Sequence, residues 1–321
     1  MSLPGRWIKH GFVWRASHVA DWWDVGTMAP APVVLGDGRI RVFVGSWKTD
    51  GSHPVSRIGY VDVAEDNPAQ VLGVSDKPVA DIGAPGTYND SGVFPSHALR
   101  LADGRIFLYT TGFQHSVYPE VDHLHTSGLL YSEDNGDTFT PLSLAPVLDR
   151  ANEGLHIRAG LSAWADEDKG GFHCVYAAGT GFHRVDGKQR VHYSVFYQQS
   201  PDGVTFARQG RNIIGVVPGD RDRSWGRPQL TRLPGGMWVV VAAVRLPNQR
   251  HHLGCAYSAD LQTWTKDENW LASVKHGEPG EFDDKTVYYP ALCFAGRRLW
   301  LFYSGNGYGR DGFGYAEWLP N

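Results

Sequence analysis

A chain of 321 residues, 42% hydrophobic and 20% charged, is long enough to bury a large interior. Its formal net charge of −4 and the lack of any Lys/Arg run offer nothing to phosphate backbones or anionic lipid, so nucleic acid and membrane are not expected partners. The segment "MSLPGRWIKHGFVWRAS" has no uninterrupted apolar core, and no run of about 18 apolar residues follows it, so a cytoplasmic location is expected.

The chain opens with a strand-like segment, "WIKHGFVWRA", that precedes a series of similar units. In the first unit an apolar run with Pro30 and Pro32 leads through the turn "LGDGRI" to "RIRVFVGS" from Arg39 and then "RIGYVDV". A second unit repeats this with Pro95, "LADGRI", "RIFLYTTG" from Arg105 and "GLLYSED", and adds the turn "SEDNGDTFT" from Ser132. The third has "GFHCVYAAG" from Gly171, "YSVFYQQS" and "SPDGVTFAR". The fourth has Pro228, "LPGGMW", "MWVVVAAVR", "LGCAYSAD" and "SADLQTWTK". The last has Pro290, "FAGRRL", "RLWLFYSGN" and "FGYAEW".

Ile40, Ile106, Phe172, Trp238 and Leu299 are equivalent, at separations of 66, 66, 66 and 61 residues. A period of this length marks repeated multi-stranded units. Asp-Gly and Gly-rich turns between apolar runs are hairpin signals. The three Ser-x-Asp turns resemble Asp-box hairpins, in which Asp and Gly shape the turn and an aromatic packs between sheets. The expected fold is therefore all-β: a five-bladed β-propeller of four-stranded antiparallel blades, one domain over 1–321, with the N-terminal strand closing the last blade. A TIM barrel would need eight amphipathic helices that the pattern lacks. The prolines, which cannot donate to a ladder, place the first strand of each unit at a sheet edge facing the channel.

Sixteen residues upstream of each marker stand Asp24, Asp90, His156, Asp222 and Asp283. Equivalent positions ahead of five inner strands are expected to converge on one end of the channel, although Asp before a strand is also a common turn residue. Arg158 and Arg227 fall on inner strands, where a guanidinium needs a ligand or an internal carboxylate. His97 and His156 suit ligand hydroxyls, a metal or a structural hydrogen bond, and no close ligand spacing marks a metal site or a cofactor. Trp225, Tyr288 and Tyr289 suit either the face of a ligand ring or blade packing. The segment Thr111 to Gly128 holds three histidines on the expected channel face. Cys174, Cys255 and Cys293 are widely spaced in apolar runs and read as buried free thiols.

"DSGVFPSHALRLADGRIFLYTTG", from Asp90, resembles the second blade of glycoside hydrolase families 32 and 68, and "EGLHIRAG", from Glu153, resembles the Glu-Gly-Pro-His segment of family 43, with Leu155 in place of proline. The resemblance implies a glycosidase with an oligosaccharide or smaller substrate. It implies Glu153 as general acid, Asp24 as base or nucleophile, and Asp90 orienting the sugar and raising the pKa of the acid. Asp24→Asn and Glu153→Gln are then expected to abolish turnover and spare folding. The alternative is a propeller that binds a glycan or a protein without catalysis.

Overall fold

The computed structural model describes residues 3, 5–50, 53–116, 121, 123–185, 188–216, 222, 224–247 and 251–320. Their regular structure is almost wholly β. After β1 (Arg6–Trp14) the strands come in groups: β2 (Val25–Val34), β3 (Arg39–Asp50), β4 (His53–Ala64) and β5 (Val71–Val74), followed by β6 (Gly92–Arg100), β7 (Ile106–His115), β8 (His123–Ser132) and β9 (Thr140–Pro141). Next are β10 (Ile157–Ala165), β11 (Phe172–Val185), β12 (Lys188–Ser200) and β13 (Arg211–Ile214), then β14 (Ser224–Arg232), β15 (Trp238–Arg245), β16 (His251–Ser258) and β17 (Thr265–Asp267). The last group is β18 (Tyr288–Ala295), β19 (Arg298–Ser304) and β20 (Phe313–Leu319), with one helical turn, α1 (Asn306–Gly309), before β20. No helix among the described residues is long and apolar enough to cross a membrane.

Each group is an antiparallel meander, as its tight Gly turns dictate. The pairing gives three four-stranded sheets and one of eight strands. The eight-stranded sheet is β6–β9 and β10–β13, joined by a two-residue parallel pairing of Ile157 and Arg158 with His125 and Thr126. The N-terminal strand β1 runs antiparallel to β20, so the first residues complete the last sheet. The markers hold one register: Val34 faces Ile40, Arg100 faces Ile106, Ala165 faces Phe172, Arg232 faces Trp238 and Phe294 faces Leu299.

The first strands β2, β6, β10, β14 and β18 contact one another in a closed succession, β18 returning to β2. Five apolar cores lie between successive groups. Phe43, Ile58, Ile106 and Leu108 fill the first, Tyr109, Leu161 and Tyr176 the second, and Val195, Trp225 and Val240 the third. Val241, Leu253, Leu299 and Leu301 fill the fourth, and Val42, Val61, Trp300 and Phe302 the fifth. The three cysteines are free and buried. The Ser-x-Asp turns form as expected: Asp134 accepts from Ser132 and Thr138, and its Phe139 packs against Phe43 at 5.4 Å. Asp202 and Asp260 are held in the same way by Ser200 with Thr205 and by Ser258 with Thr263.

The prolines sit in β2, β6, β14 and β18, next to irregularities that interrupt each first strand. Register shifts fall at Met28/Ala31, Pro95/His97, Ala159/Ser162, Gly226/Gln229 and Tyr288/Ala291. Ala29, Gly160, Arg227 and Tyr289 occupy the left-handed region at these bulges. Only Gly160 is a glycine, and there a Cβ would stand 3.0 Å from the Arg227 Cα, so the backbones meet where no side chain fits.

Closure also has a polar fastener. Asp283, ahead of β18 and 0% exposed, accepts from Lys9 Nζ of β1 at 2.7 Å and from the Tyr303 hydroxyl of β19 at 2.9 Å. Breaking a buried pair by removing one partner leaves a stranded charge. Lys9→Met is expected to cost about 3 kcal/mol, read as a lowered denaturation midpoint, with Lys9→Met/Asp283→Asn regaining part of it. Equal stability of Lys9→Met and the parent would show that this pair does not secure the closure.

Candidate functional site at the mouth of the strand ring

The residues chosen by spacing, and Glu153 with them, each have their own local partners. Glu153, whose side chain is 3% exposed, accepts from Arg158 Nε at 2.8 Å, from the Tyr176 hydroxyl at 2.5 Å and from the Gly210 amide at 3.0 Å. Arg158 spends its other donors on the Asp149 and Ala207 carbonyls and the Tyr176 hydroxyl. Both are drawn between sheets, where they join the loop ahead of β10 to β11 and to the segment before β13. Asp222 accepts from Trp225 Nε1 at 2.9 Å and Lys266 Nζ at 3.2 Å, and Trp225 belongs to an inter-sheet core. Asp283 is the closure residue. Asp90 shapes a turn through the Gly86 amide and the Ser91 hydroxyl. Asp24 contacts His18 at 3.4 Å and remains 35% exposed. No two of these carboxylates share a hydrogen-bond partner among the described residues.

Arg227 takes the internal position but not the carboxylate expected there. Its guanidinium is buried on the axis and donates to four carbonyls: Pro95 at 3.3 Å, Tyr289 at 3.4 Å, Ala29 at 2.9 Å and Pro30 at 2.6 Å. It has no carboxylate partner among the described residues, and burial lowers its pKa to about 9. His97 is displaced as well. Two residues beyond Pro95 along β6, it passes the guanidinium and opens at the opposite end of the axis from Phe94 and Tyr289.

What does gather at the upstream ends of the first strands is a belt of rings. Phe94 lies 5.2 Å from Phe113 and 6.4 Å from Tyr289, and Phe113 meets His125 at 4.6 Å. On the other side Tyr289 lies 6.2 Å from Tyr308, Tyr308 stacks on Tyr288 at 4.6 Å, and Tyr288 reaches His251 at 4.5 Å. The hairpins β7–β8 and β15–β16 and the α1 turn bring these rings over the axis. Tyr308 is 45% exposed and left-handed, the outermost ring of the belt. His156 stands half-buried against Phe182 at 5.3 Å, and its carbonyl accepts from the His125 amide. Of the segment Thr111 to Gly128, residues 117–120 and 122 lie outside the described residues.

Burial sets the protonation of this belt. It holds the Tyr289 hydroxyl well above its ordinary pKa and pushes Tyr288 and Tyr193 up to about 12. It also takes the His125 imidazole down to about 3, with His123 adding to the fall. Arg245, at the end of β15, is lowered by burial too. It donates to the Val191 carbonyl, lies 6.0 Å from the Tyr193 ring, and keeps a buried Nε without a partner among the described residues. The spacing that selected acids missed this residue, which stands seven beyond its marker, where Trp47 and Phe113 stand in earlier units. Among the described residues no cluster of three His, Cys, Asp or Glu is placed to hold a metal ion.

No protein-family model matches the chain. It is 29% identical over 318 residues to the uncharacterized protein Rv1502 of Mycobacterium tuberculosis, covering 97% of this chain and 98% of that one. Among solved structures it is similar to one from glycoside hydrolase family 130, a family of mannoside phosphorylases described as containing glycoside hydrolases that target β-1,2 mannosidic linkages in Candida mannan. The TM-score is 0.68 at 16% identity, over 98% of this chain and 94% of that one. A thermostable family-43 glycoside hydrolase matches at a TM-score of 0.61 and 13% identity, over 91% and 88% of the two chains. At these identities the likeness is one of fold.

Two outcomes follow from the geometry. Glu153→Gln strands the buried Arg158 charge and is expected to cost about 3 kcal/mol in denaturant unfolding, with Glu153→Gln/Arg158→Met milder; unchanged stability would return Glu153 to the list of free acids. His97 and His125, both held at about 3 when folded against about 6.5 unfolded, bind more protons in the unfolded chain. Their stabilising contribution is full above pH 6.5 and is lost as pH falls toward 3, at up to about 1.4 kcal/mol per pH unit for each. Stability that stays flat from pH 7.5 to 5 in both the parent and a His125→Phe variant would contradict this burial.

Proposed function

We propose that the chain is a single five-bladed β-propeller over residues 1–321 that acts on the glycosidic bond of a saccharide held at the ring-lined mouth. The closed succession of five first strands and the five inter-sheet cores support the blade count: the eight-stranded sheet is two blades touching at their upstream ends. The fold likeness to glycoside hydrolases and to a phosphorylase family, spanning nearly the whole chain, supports carbohydrate chemistry.

The observation that carries the site is the aromatic belt above two guanidiniums, Arg227 and Arg245, that have no carboxylate partner among the described residues. Ring faces stack on the apolar face of a pyranose, and the tyrosine hydroxyls, held in the protonated form, donate to sugar oxygens. The uncompensated positive charge beneath them favours an anionic group on the substrate or phosphate as the acceptor. Asp24 and Asp90 are the candidates left for proton transfer, because Glu153 is enclosed by three donors. The general acid is thereby assigned away from the residue that the family-43 resemblance implied.

A second reading has a specific observation in its favour. Three of the five acids, Glu153, Asp222 and Asp283, are engaged in ion pairs or closure, as expected of a glycan-binding propeller without catalysis. The purified protein, incubated with aryl glycosides and mannose disaccharides with and without phosphate, separates the two. On the catalytic reading Asp24→Asn or Asp90→Asn lowers kcat about 100-fold or more with saccharide affinity kept, while Tyr308→Ala weakens binding about tenfold. Saccharide binding without turnover selects the second reading. If no saccharide binds at millimolar concentration, both fall.

A further inference from the structure

Below Arg227, at the downstream ends of the first strands, lies a basin of about 590 Å³ to which all five contribute. Pro32–Gly36, His97–Arg100, Trp164, Gln229–Thr231 and Leu292–Phe294 line it. Its polar groups are almost all consumed by the fold. Gln229 is locked at both ends of its amide onto the Leu292 backbone, donating to the carbonyl at 2.9 Å and accepting from the amide. Arg100 donates to the Leu35 carbonyl and to Asn135 Oδ1. The Ser162 hydroxyl, on the neighbouring strand, accepts from the Leu230 amide. One lining residue stands apart: His97 is 8% exposed, and its Nδ1, enclosed by protein, has no partner among the described residues. An unpaired buried polar atom of this kind is destabilising until something meets it.

We propose that this basin is a second binding site, separate from the mouth, for a neutral, mostly apolar molecule about one or two rings in size whose single O–H or N–H bonds to His97. The wall of Val33, Leu35, Leu99, Trp164 and Phe294 supplies apolar contact, and a lone imidazole supplies direction. A free sugar is a poor fit, because its many hydroxyls meet a wall that is largely apolar and many of them go unpaired. An anion is a poor fit as well: the one guanidinium in the lining is engaged, and the imidazole stays uncharged because burial and the nearby Arg227 charge take its pKa down to about 3. The axial guanidinium and its carbonyl collar fill the space between the basin and the mouth, so the two sites are occupied independently.

Phenol and indole are the probes, with benzoate and glucose as charged and hydroxyl-rich controls, read by NMR of the His97 ring and by Trp164 fluorescence in the full chain. Saturable shifts with phenol or indole are expected at Kd on the order of 1 mM or below, with none from benzoate or glucose at equal concentration. His97→Phe is expected to weaken phenol at least fivefold, and Leu99→Trp, which fills the basin, to abolish binding. Saccharide binding at the mouth should be unaltered in both. Should His97→Phe fail to fold, Leu99→Trp and the wild-type ring shifts carry the test. The proposal is overturned if neither phenol nor indole moves the His97 resonances, as a basin holding water alone would behave. It is equally overturned if glucose or benzoate binds there as well as phenol, or if both variants bind phenol like the parent.

Discussion

The axial guanidinium of Arg227 is the contact on which the centre of the molecule depends. A buried cation normally demands a carboxylate, and here the demand is met by main-chain carbonyls of β2, β6 and β18 instead. Those carbonyls are available because each first strand breaks its ladder at the same level. Proline removes a donor from the ladder, and a left-handed residue at the bulge turns the chain aside. Ala29, Arg227 and Tyr289 each carry the roughly 1 kcal/mol of a left-handed side-chain-bearing residue. Hydrogen bonds from a charged donor, about 1.5–3 kcal/mol each, offset it. The strain and the bonds are parts of one arrangement, since neither is reasonable without the other.

Filling the axis with a side chain divides what would otherwise be a through-channel. The upstream end receives the hairpins between second and third strands, and with them Phe113, Arg245 and Tyr308. The downstream end receives only the tails of the first strands, which are short, apolar and largely closed on themselves. The two ends therefore differ in chemistry for a topological reason. Side chains at the mouth come from loops and strand ends free to carry polar groups, whereas those at the base come from strand interiors whose polar groups the ladders and cores absorb.

Much of the fold was legible because the repeat is carried by hairpin turns and apolar runs, which fix strand order and register directly. Ile40 and its four counterparts occupy one register position in every group, and the N-terminal strand pairs where its surplus in the count placed it. The site was less legible. A fixed spacing identifies which end of the strands a residue approaches, but it does not say whether its side chain turns to the axis or between sheets. Asp283, chosen by that spacing, and Glu153, implied by the family-43 resemblance, turn between sheets, each caught by a tyrosine four residues past its marker, Tyr303 and Tyr176. That tyrosine pattern was present in the sequence and marks anchoring acids. His97 was misplaced for another reason: a bulge at Pro95 separates it from Phe94, and a bulge leaves little trace in periodicity beyond the proline itself.

The protonation states narrow the chemistry that the mouth can perform. Its tyrosines are held above the neutral range and serve as donors, not bases. The His125 imidazole, already neutral and far below neutral pH in its affinity for a proton, serves as neither acid nor base there. The guanidiniums stabilise negative charge without exchanging protons under ordinary conditions. On the proposed function, proton transfer at this mouth falls to Asp24 or Asp90, while the rings and cations position the sugar and hold developing charge. On the proposed function, two guanidiniums without a carboxylate partner among the described residues, next to aromatic faces, favour a ligand that brings its own negative charge or its own anionic co-substrate.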